Sequence, residues 1–286
     1  MPKVAYEVLH PERRTSCVVF ASPHSGRDYP WSFLRRTVLD EKTVRSSEDA
    51  FVDKLFDMCP QHGAPLLKAG APRAFVDLNR SADELDPALI EGVRRQGHNP
   101  RIASGLGVIP RVVANGRVIY RGKIPMREAE RRIDLYWRPY HQMLQKLLDG
   151  AHQAHGLAVL IDCHSMPHEA MDGIAQGARR RPDVVLGDRF GAAAGGEIVD
   201  SVEAAFAAAG FTVARNAPFA GAYVTQAYGR PSRNQHAVQV EIDRSLYMNE
   251  RTITPHADFE PMRDRLRAVV AEISTIGQRR VPLAAE

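Results

Sequence analysis

Apolar and polar residues follow two different patterns along the chain, and these patterns predict two kinds of secondary structure. Short runs rich in valine, isoleucine and leucine predict buried strands, and the most apolar run covers residues 156–162. Further strands are predicted at residues 17–21, 65–68, 74–78, 184–186, 211–214 and 237–243. A hairpin is predicted over residues 111–120, because Asn115-Gly116 separates two β-rich runs and favours a tight turn.

Between these runs, apolar residues recur three and four positions apart, which is the spacing of an amphipathic helix. Ser46 is the predicted cap of a helix that continues to Met58, with Asp49 in its first turn. A long helix follows the hairpin and should be kinked at Pro139. The remaining helices are predicted over residues 197–209 and about 257–275. Strands that alternate with helices indicate an α/β protein in which helices cover a sheet.

The segment 81–110 has neither the strand pattern nor the helix pattern, and it contains four glycines and three prolines. A loop of this length inside a compact domain usually has a function. It is therefore a candidate lid over a binding site.

Composition narrows the class of protein. With 44% hydrophobic and 25% charged residues, the chain is an ordinary globular protein, which excludes a disordered chain, a coiled coil and a disulfide-rich miniprotein. No apolar run approaches the roughly 18–20 residues that span a bilayer, and the first residues lack the apolar stretch of a secretory signal. Three widely separated cysteines suit a reducing compartment, so a cytoplasmic location is expected. Without repeats or linkers, one domain over residues 1–286 is expected.

Arginine dominates the basic residues. The 38 basic residues against 34 acidic ones give a formal charge of +4, and only six of the 38 are lysine. Paired arginines occur without interleaved aromatic residues or a nucleic-acid motif, so most are expected on the surface. Nucleic acid is therefore not the expected partner, and a nucleic-acid-binding module stays a rival reading that a salt titration would test. Single arginines at a binding site would suit a carboxylate or phosphate ligand.

Polar and ionisable residues that could bind a ligand or catalyse a reaction lie where the predicted strands end, which is where α/β sheets bind their ligands. His24 follows the first buried strand and His164 follows the central one. Asn79 and Arg80 follow the strand predicted at 74–78, and Glu241 lies late in the last strand. Glu48 and Asp49 stand in the first turn of the helix predicted from Ser46.

Two histidines, one carboxylate and an open position are the ligands of a catalytic zinc ion. His24 and His164 are far apart in sequence, so their spacing carries no motif and two buried core histidines remain the alternative. Cys163 is adjacent to His164, but neighbouring residues of an extended segment point in opposite directions. A cysteine nucleophile is therefore disfavoured.

Six short motifs then follow one another in order along residues 20–250. They are Ser22-Pro-His-Ser-Gly26 with Tyr29-Pro30, Asp49 with Val52-Asp53-Lys54-Leu55, Asp77-Leu-Asn-Arg80, Asp162-Cys-His-Ser165, Tyr228-Gly-Arg-Pro231, and His236-Ala-Val-Gln-Val-Glu241 with Tyr247-Met248. In this combination and order the chain resembles the N-formylglutamate amidohydrolase (deformylase) family.

The resemblance implies a mixed β-sheet between helical layers, the phosphorylase/hydrolase-like arrangement that is related to the zinc metallocarboxypeptidases. It implies zinc as the cofactor, with another divalent metal as an alternative. The implied ligands are His24, Asp49 and His164, with Glu48 as an alternative to Asp49, and Glu241 is the implied general base and acid. The implied substrate-binding residues are Asn79, Arg80 and Arg230. Asp162 has two readings, as the residue that orients a ligand histidine or as a structural residue at its strand end.

The implied activity is zinc-dependent hydrolysis of N-formyl-L-glutamate to formate and L-glutamate. The segment 81–125 departs from the family pattern, so a different acyl group or amino acid is the alternative. A protein that binds an acidic ligand without catalysis is a second alternative. The expected partner is a small acidic N-acyl amino acid, with no membrane, for a monomer or small homo-oligomer.

Overall fold

A seven-stranded mixed sheet forms the centre of the computed structural model, which describes residues 2–94, 99–172 and 181–278. In chain order its strands are β1 (Tyr6–Leu9), β2 (Val18–Ser22), β3 (Leu66–Ala69), β4 (Ala158–Met166), β5 (Val184–Gly187), β6 (Val213–Arg215) and β7 (Gln235–Asp243). Across the sheet the order is β1-β3-β2-β4-β7-β5-β6. Neighbours are parallel except for the antiparallel pairs β1–β3 and β5–β7. A separate antiparallel pair joins β8 (Met248–Asn249) to β9 (Thr254–Pro255).

Helices and helical turns connect the strands. The α-helices are α1 (Trp31–Leu34), α2 (Glu41–Val44), α3 (Val52–Leu55), α4 (Pro100–Ala103), α5 (Met126–Arg132), α6 (Arg138–His155), α7 (Gly196–Ala208), α8 (Tyr223–Tyr228) and α9 (Phe259–Ile273). Short 3₁₀ segments cover Cys59–His62, Ala114–Gly116, His168–Met171, Pro231–Arg233 and Arg244–Leu246. A π-helical turn, Ile133–Trp137, joins α5 to α6 directly before Pro139. The predicted kink takes this form because a wider turn relieves the clash of the proline ring with the preceding turn.

The two faces of the sheet support two hydrophobic cores. Along β2, Val18 and Phe20 lie in one core with the apolar faces of α7 and α9, whereas Val19 and Ala21 lie in the other core with α5 and α6. This alternation is the two-residue period of a strand. Each fully buried large aliphatic side chain stabilises the fold by about 1.5–3 kcal/mol. The predicted α/β architecture, a mixed sheet between helical layers, is confirmed.

The helix predicted from Ser46 to Met58 is wrong in its first half. Residues 46–51 form turns, and the helix α3 begins only at Val52. Phe51 before it has a φ of 66°, which a helix interior does not allow. The Ser46 hydroxyl donates to the carbonyl of Thr43 at 2.8 Å instead of capping a helix. Asp49 therefore lies in a loop rather than in the first turn of a helix.

Two predicted β segments are also corrected. Residues 74–78 are buried but form no strand, because the chain turns back and the amide of Phe75 donates to the carbonyl of Pro72 at 2.9 Å. The hairpin over 111–120 is reduced to one antiparallel bridge, Val112 with Val118. Between them Asn115 and Gly116 have φ angles of 58° and 69°, as the predicted turn requires.

Two further findings concern the chain as a whole. No helix within the described ranges has the length and apolar character that crossing a membrane requires. The three cysteines, Cys17, Cys59 and Cys163, are buried free thiols.

Candidate active site

The register of β4 and β7 brings two predicted site residues together. His164 on β4 pairs with Glu241 on β7, and Asp162 pairs with Gln239 one step earlier on the same face. His164 lies inside β4 rather than after it, because that strand continues to Met166. Cys163 points to the opposite face and is buried in the core beneath α7 and α9, which confirms the predicted orientation.

The loop after β2 carries His24 to the same place. Gly26 allows this loop to approach its neighbour closely, because a Cβ on it would lie 2.1 Å from the carbonyl oxygen of Ala71. The Ser25 hydroxyl donates to the carbonyl of Asp49, and the amide of Asp49 donates to the carbonyl of His24, both at 3.1 Å. These two hydrogen bonds hold the loop that carries His24 against the loop that carries Asp49.

His24, Asp49 and His164 form a buried group that could hold a metal ion. Their candidate ligand atoms all lie within 4.8 Å of one another, and their relative exposures are 1%, 1% and 2%. Oδ2 of Asp49 lies 2.9 Å from Nδ1 of His164 and 3.3 Å from Nδ1 of His24. Two imidazole nitrogens and one carboxylate oxygen are a typical ligand set for a catalytic zinc ion.

The opposite ring nitrogens of both histidines contact carboxylates. Nε2 of His24 lies 2.7 Å from Oδ1 of Asp77, and Nε2 of His164 lies 2.9 Å from Oδ2 of Asp162. Carboxylates in this position fix the ring orientation and leave Nδ1 free to bind a metal. Of the two readings of Asp162, the contact fits the one in which it orients His164.

The role of Asp77 was missed, because the sequence places it inside a predicted strand. The turn that replaces this strand aims its carboxylate at His24, and Nε of Arg73 donates to its second oxygen at 3.0 Å. The one available signal was the position of Asp77 in the Asp77-Leu-Asn-Arg80 motif.

Arg244 is buried and contacts Asp49 of the candidate metal-binding group. Its Nη2 donates to Oδ1 of Asp49 at 3.0 Å, and its Nε donates to the hydroxyl of Ser165 at 3.1 Å. Burial by itself would raise the pKa of the Asp49 carboxyl. Hydrogen bonds with His164 and His24 outweigh it and hold that pKa well below its usual range.

Glu48, the alternative ligand, is engaged elsewhere. Arg45 donates to both of its carboxylate oxygens at 3.0 and 3.2 Å, and the hydroxyl of Tyr29 donates to it at 2.6 Å. Glu48 is also absent from the group of converging ligand atoms found among the described residues. The geometry therefore favours Asp49.

Glu241 lines the same cavity as the two histidines and Asp49. It is 8% exposed, and Nε2 of Gln239 donates to its Oε1 at 2.8 Å. Burial raises the pKa of Glu241 to about 7, although the positive charge of His164 opposes the shift. A carboxyl with a pKa near 7 can both accept and donate a proton at neutral pH.

Asn79 contacts His164, and Arg80 follows it in the wall of the same cavity. Nδ2 of Asn79 is 3.2 Å from Nε2 of His164, and its Oδ1 accepts from the amide of Val224 at 2.8 Å. Arg80 is 6% exposed, and its Nε and Nη1 donate to the carbonyls of Leu106 and Asn79 at 2.9 and 2.7 Å. Its Nη2 has no partner in the described ranges and remains available.

One open cavity of about 610 Å³ is lined by the candidate ligands, the candidate base and the polar residues that contact them, namely His24, Asp49, His164, Glu241, Asp77, Asn79, Arg80 and Arg244. The predicted lid segment contributes Arg101, Ser104, Leu106 and Pro110 to its wall. Arg230 does not belong to this wall as the described residues form it. It is exposed, and its backbone forms a bridge to Gln235. The structure thus brings together six of the seven predicted site residues and leaves Arg230 apart.

The sequence of this chain is similar to those of known proteins. The family model of N-formylglutamate amidohydrolase matches residues 16–248. An N-formylglutamate deformylase of Pseudomonas aeruginosa is 30% identical over 275 residues, which cover 93% of this chain and 94% of the relative. Another from Pseudomonas putida is 29% identical over 240 residues, 82% of each chain.

A solved structure agrees. The N-formylglutamate amidohydrolase from Ralstonia eutropha JMP134 superposes with a TM-score of 0.89 at 35% identity, over 96% of this chain and 99% of that one. The chain therefore belongs to the N-formylglutamate amidohydrolase family and is a hydrolase of carbon–nitrogen amide bonds.

Proposed function

We propose that this protein is a zinc-dependent deformylase that converts N-formyl-L-glutamate and water to formate and L-glutamate. The observation that carries the proposal is the convergence of His24, Asp49 and His164 in one cavity with Glu241. The curated relatives are named for the same reaction, which supports this substrate.

The metal is assigned to Nδ1 of His24, Nδ1 of His164 and Oδ2 of Asp49. The donor set suits zinc, and both Nε2 atoms are held by Asp77 and Asp162. When bound there, zinc would supply Lewis-acid polarisation of the formyl carbonyl and would make a water molecule more acidic. The remaining chemistry belongs to side chains of the cavity.

Glu241 is assigned as the general base and acid. It accepts a proton from the attacking water and returns it to the amide nitrogen as the C–N bond breaks, so the amine of glutamate leaves in a neutral form. General acid–base catalysis of this kind typically contributes 10²–10⁴-fold in rate. The hydrogen bond from Gln239 to Oε1 keeps the carboxyl oriented toward the cavity.

Arg80 is assigned as a substrate-carboxylate residue. Two of its nitrogens are anchored to carbonyls of Leu106 and Asn79, which pre-orients the guanidinium, and Nη2 is left for the ligand. Stabilisation of the oxyanion by the same group is the alternative role. Asn79, whose side chain accepts from the amide of Val224, is assigned to hold the side chains of His164 and Arg80 in position. Arg230 has no place in this scheme.

The reaction is proposed to take place in the cytoplasm, where three buried free thiols would stay reduced. The test is hydrolysis of a panel of N-acyl amino acids by zinc-loaded protein, with formate and free amino acid both quantified. N-formyl-L-glutamate should be the preferred substrate and should release equal amounts of the two products. Preference for another acyl group or amino acid would identify a different N-acyl amidohydrolase. Retained zinc with no turnover on any compound would favour a non-catalytic binder.

A further inference from the structure

Among the described residues, four arginines line the cavity, and two of them form ion pairs with carboxylates of the protein. Nε of Arg73 donates to Asp77 at 3.0 Å, and Nη2 of Arg244 donates to Asp49 at 3.0 Å. These two guanidinium groups are bound to carboxylates of the protein. Their charges are therefore balanced within the wall of the cavity.

The other two, Arg80 and Arg101, form no ion pair within the described parts of the chain. Arg80 contacts only backbone carbonyls through its guanidinium, and Arg101, on α4, has an exposed side chain without a partner there. Burial lowers the pKa of Arg80, the negative charge of Asp77 opposes this shift, and the positive charges of Arg73 and Arg101 add to it. Among the described residues, neither guanidinium is bound to a carboxylate of the protein, so each can bind a carboxylate of a ligand.

The two arginines lie at different depths. Arg80 is buried and follows Asn79, whose side chain contacts His164, whereas Arg101 belongs to an exposed short helix. The substrate has the same order of groups. Its α-carboxylate is bonded to the carbon next to the reacting amide nitrogen, and its side-chain carboxylate lies two methylene groups farther away. A formyl group that reaches Glu241 therefore places the α-carboxylate on the inner side and the side-chain carboxylate toward the solvent.

We infer that Arg101 binds the side-chain carboxylate of the substrate while Arg80 binds its α-carboxylate, so that Arg101 makes the enzyme selective for N-acyl derivatives of a dicarboxylic amino acid. This inference rests on the proposed function. It assigns to α4 a role in specificity, because removing Arg101 leaves His24, Asp49, His164 and Glu241 untouched.

The test compares a substrate that has two carboxylates with two analogues that each lack one of them. N-formyl-L-glutamate has both carboxylates, N-formyl-L-glutamine lacks the side-chain one, and N-formyl-L-isoglutamine lacks the α one. The proteins are the wild type, Arg101→Ala, Arg101→Lys and Arg80→Lys, each loaded with zinc. Arg127→Ala is the matched control, because Arg127 is an exposed arginine on α5 outside the cavity.

Arg101→Ala should lower kcat/KM for N-formyl-L-glutamate by roughly 10- to 100-fold, the usual effect of losing one charged hydrogen-bonded pair. It should change kcat/KM for N-formyl-L-glutamine less than about twofold, and Arg101→Lys should restore part of the loss. Arg80→Lys should affect the two substrates with an α-carboxylate more than N-formyl-L-isoglutamine. Arg127→Ala should behave as the wild type.

Equal effects of Arg101→Ala on glutamate and glutamine substrates would overturn the inference, as would no effect on either. A reversed pattern, in which Arg101→Ala removes selectivity for the α-carboxylate, would also overturn it. If the wild type hydrolyses none of the three compounds, the proposed function fails and the inference falls with it. Turnover by the wild type without a change in charge selectivity rejects the inference alone.

Discussion

His164 and Glu241 lie directly opposite each other in the parallel strands β4 and β7. Both side chains are almost fully buried on the sheet face that opens into the cavity. Because both strands are buried along nearly their whole length, the candidate ligand and the candidate base are held by the most rigid part of the molecule. Changes at either residue should therefore act locally.

Replacing Glu241 separates catalysis from metal binding. Glu241→Gln should keep about one metal ion per chain and lower kcat by roughly 10²–10⁴-fold, because an amide cannot accept the proton of water. The amide oxygen can still accept the hydrogen bond from Gln239, so the fold should be retained. Elemental analysis and steady-state kinetics on the same sample measure both quantities. Turnover close to that of the wild type would remove the assignment of Glu241 as the base.

Adjacent carboxylates distinguish the ligand from its neighbour. Asp49→Asn should abolish stoichiometric metal, because Oδ2 of Asp49 lies between the two ligand nitrogens. Glu48→Gln should keep the metal, since Glu48 is paired with Arg45. Metal content of both variants after gel filtration is the measurement. Metal lost from the Glu48 variant and kept by the Asp49 variant would reverse the assignment.

The carboxylate behind His24 should tune metal affinity. Asp77→Asn should weaken zinc binding by roughly 10- to 100-fold, because the hydrogen bond to Nε2 makes the imidazole a better ligand. Asp53→Asn is the matched control, since Asp53 is also buried but pairs with Arg27 at 2.9 Å. Competition with a chromophoric chelator gives both dissociation constants. If the two variants bind zinc alike, Asp77 does not act on the metal through His24.

His141 should make the fold sensitive to acid. Its Nδ1 lies 2.8 Å from the hydroxyl of Tyr228 and its Nε2 lies 3.0 Å from the carbonyl of Leu78, which suits a neutral ring. Burial lowers the pKa of His141 to about 4, from 6.5 for the free residue. The unfolded chain therefore binds a proton at higher pH than the folded one, and stability falls as pH decreases from about 6.5 to about 4.

This single residue should account for about 3 kcal/mol of the free energy of unfolding lost between pH 7.5 and pH 4. Urea unfolding of metal-free wild type and His141→Gln measures the difference. The variant should be less stable at pH 7.5 but should lose about 3 kcal/mol less on acidification. The exposed His155→Gln serves as control and should follow the wild type. An equal pH dependence for wild type and the His141 variant would refute the buried neutral state.

Local patterns predicted most of the sheet and the main helices because those elements are long and periodic. The apolar runs 156–162 and 237–243 predict two strands, and the structure has them as β4, which is shifted to Ala158–Met166, and β7, which begins two residues earlier at Gln235. The loops were predicted less well. Phe51, Leu55 and Met58 have helical spacing, yet all three are also consistent with a turn followed by a four-residue helix. The left-handed conformation of Phe51 has no sequence signal of its own.

The convergence of His24, His164 and Glu241 could be predicted because each lies at or near the end of an apolar strand. Asp77 and Arg244 could not, since their roles depend on contacts across long stretches of chain. Arg244 reaches Asp49 from 195 positions away, and Asp77 reaches His24 only through a turn that local propensity presented as a strand. Arg230 matched a family motif, but sequence similarity does not state the direction of a side chain.

In the proposed function, His24, Asp49 and His164 bind the metal that hydrolysis requires. The most direct measurement removes metal from the protein with a chelator, returns zinc in steps, and follows N-formyl-L-glutamate turnover in the wild type and in His164→Ala. Wild-type turnover should be abolished by the chelator and should rise in proportion to zinc until one equivalent is bound, while His164→Ala should bind no stoichiometric zinc and stay inactive. Full turnover in the chelated wild type, or one equivalent of zinc with normal turnover in His164→Ala, would contradict this role of the three residues.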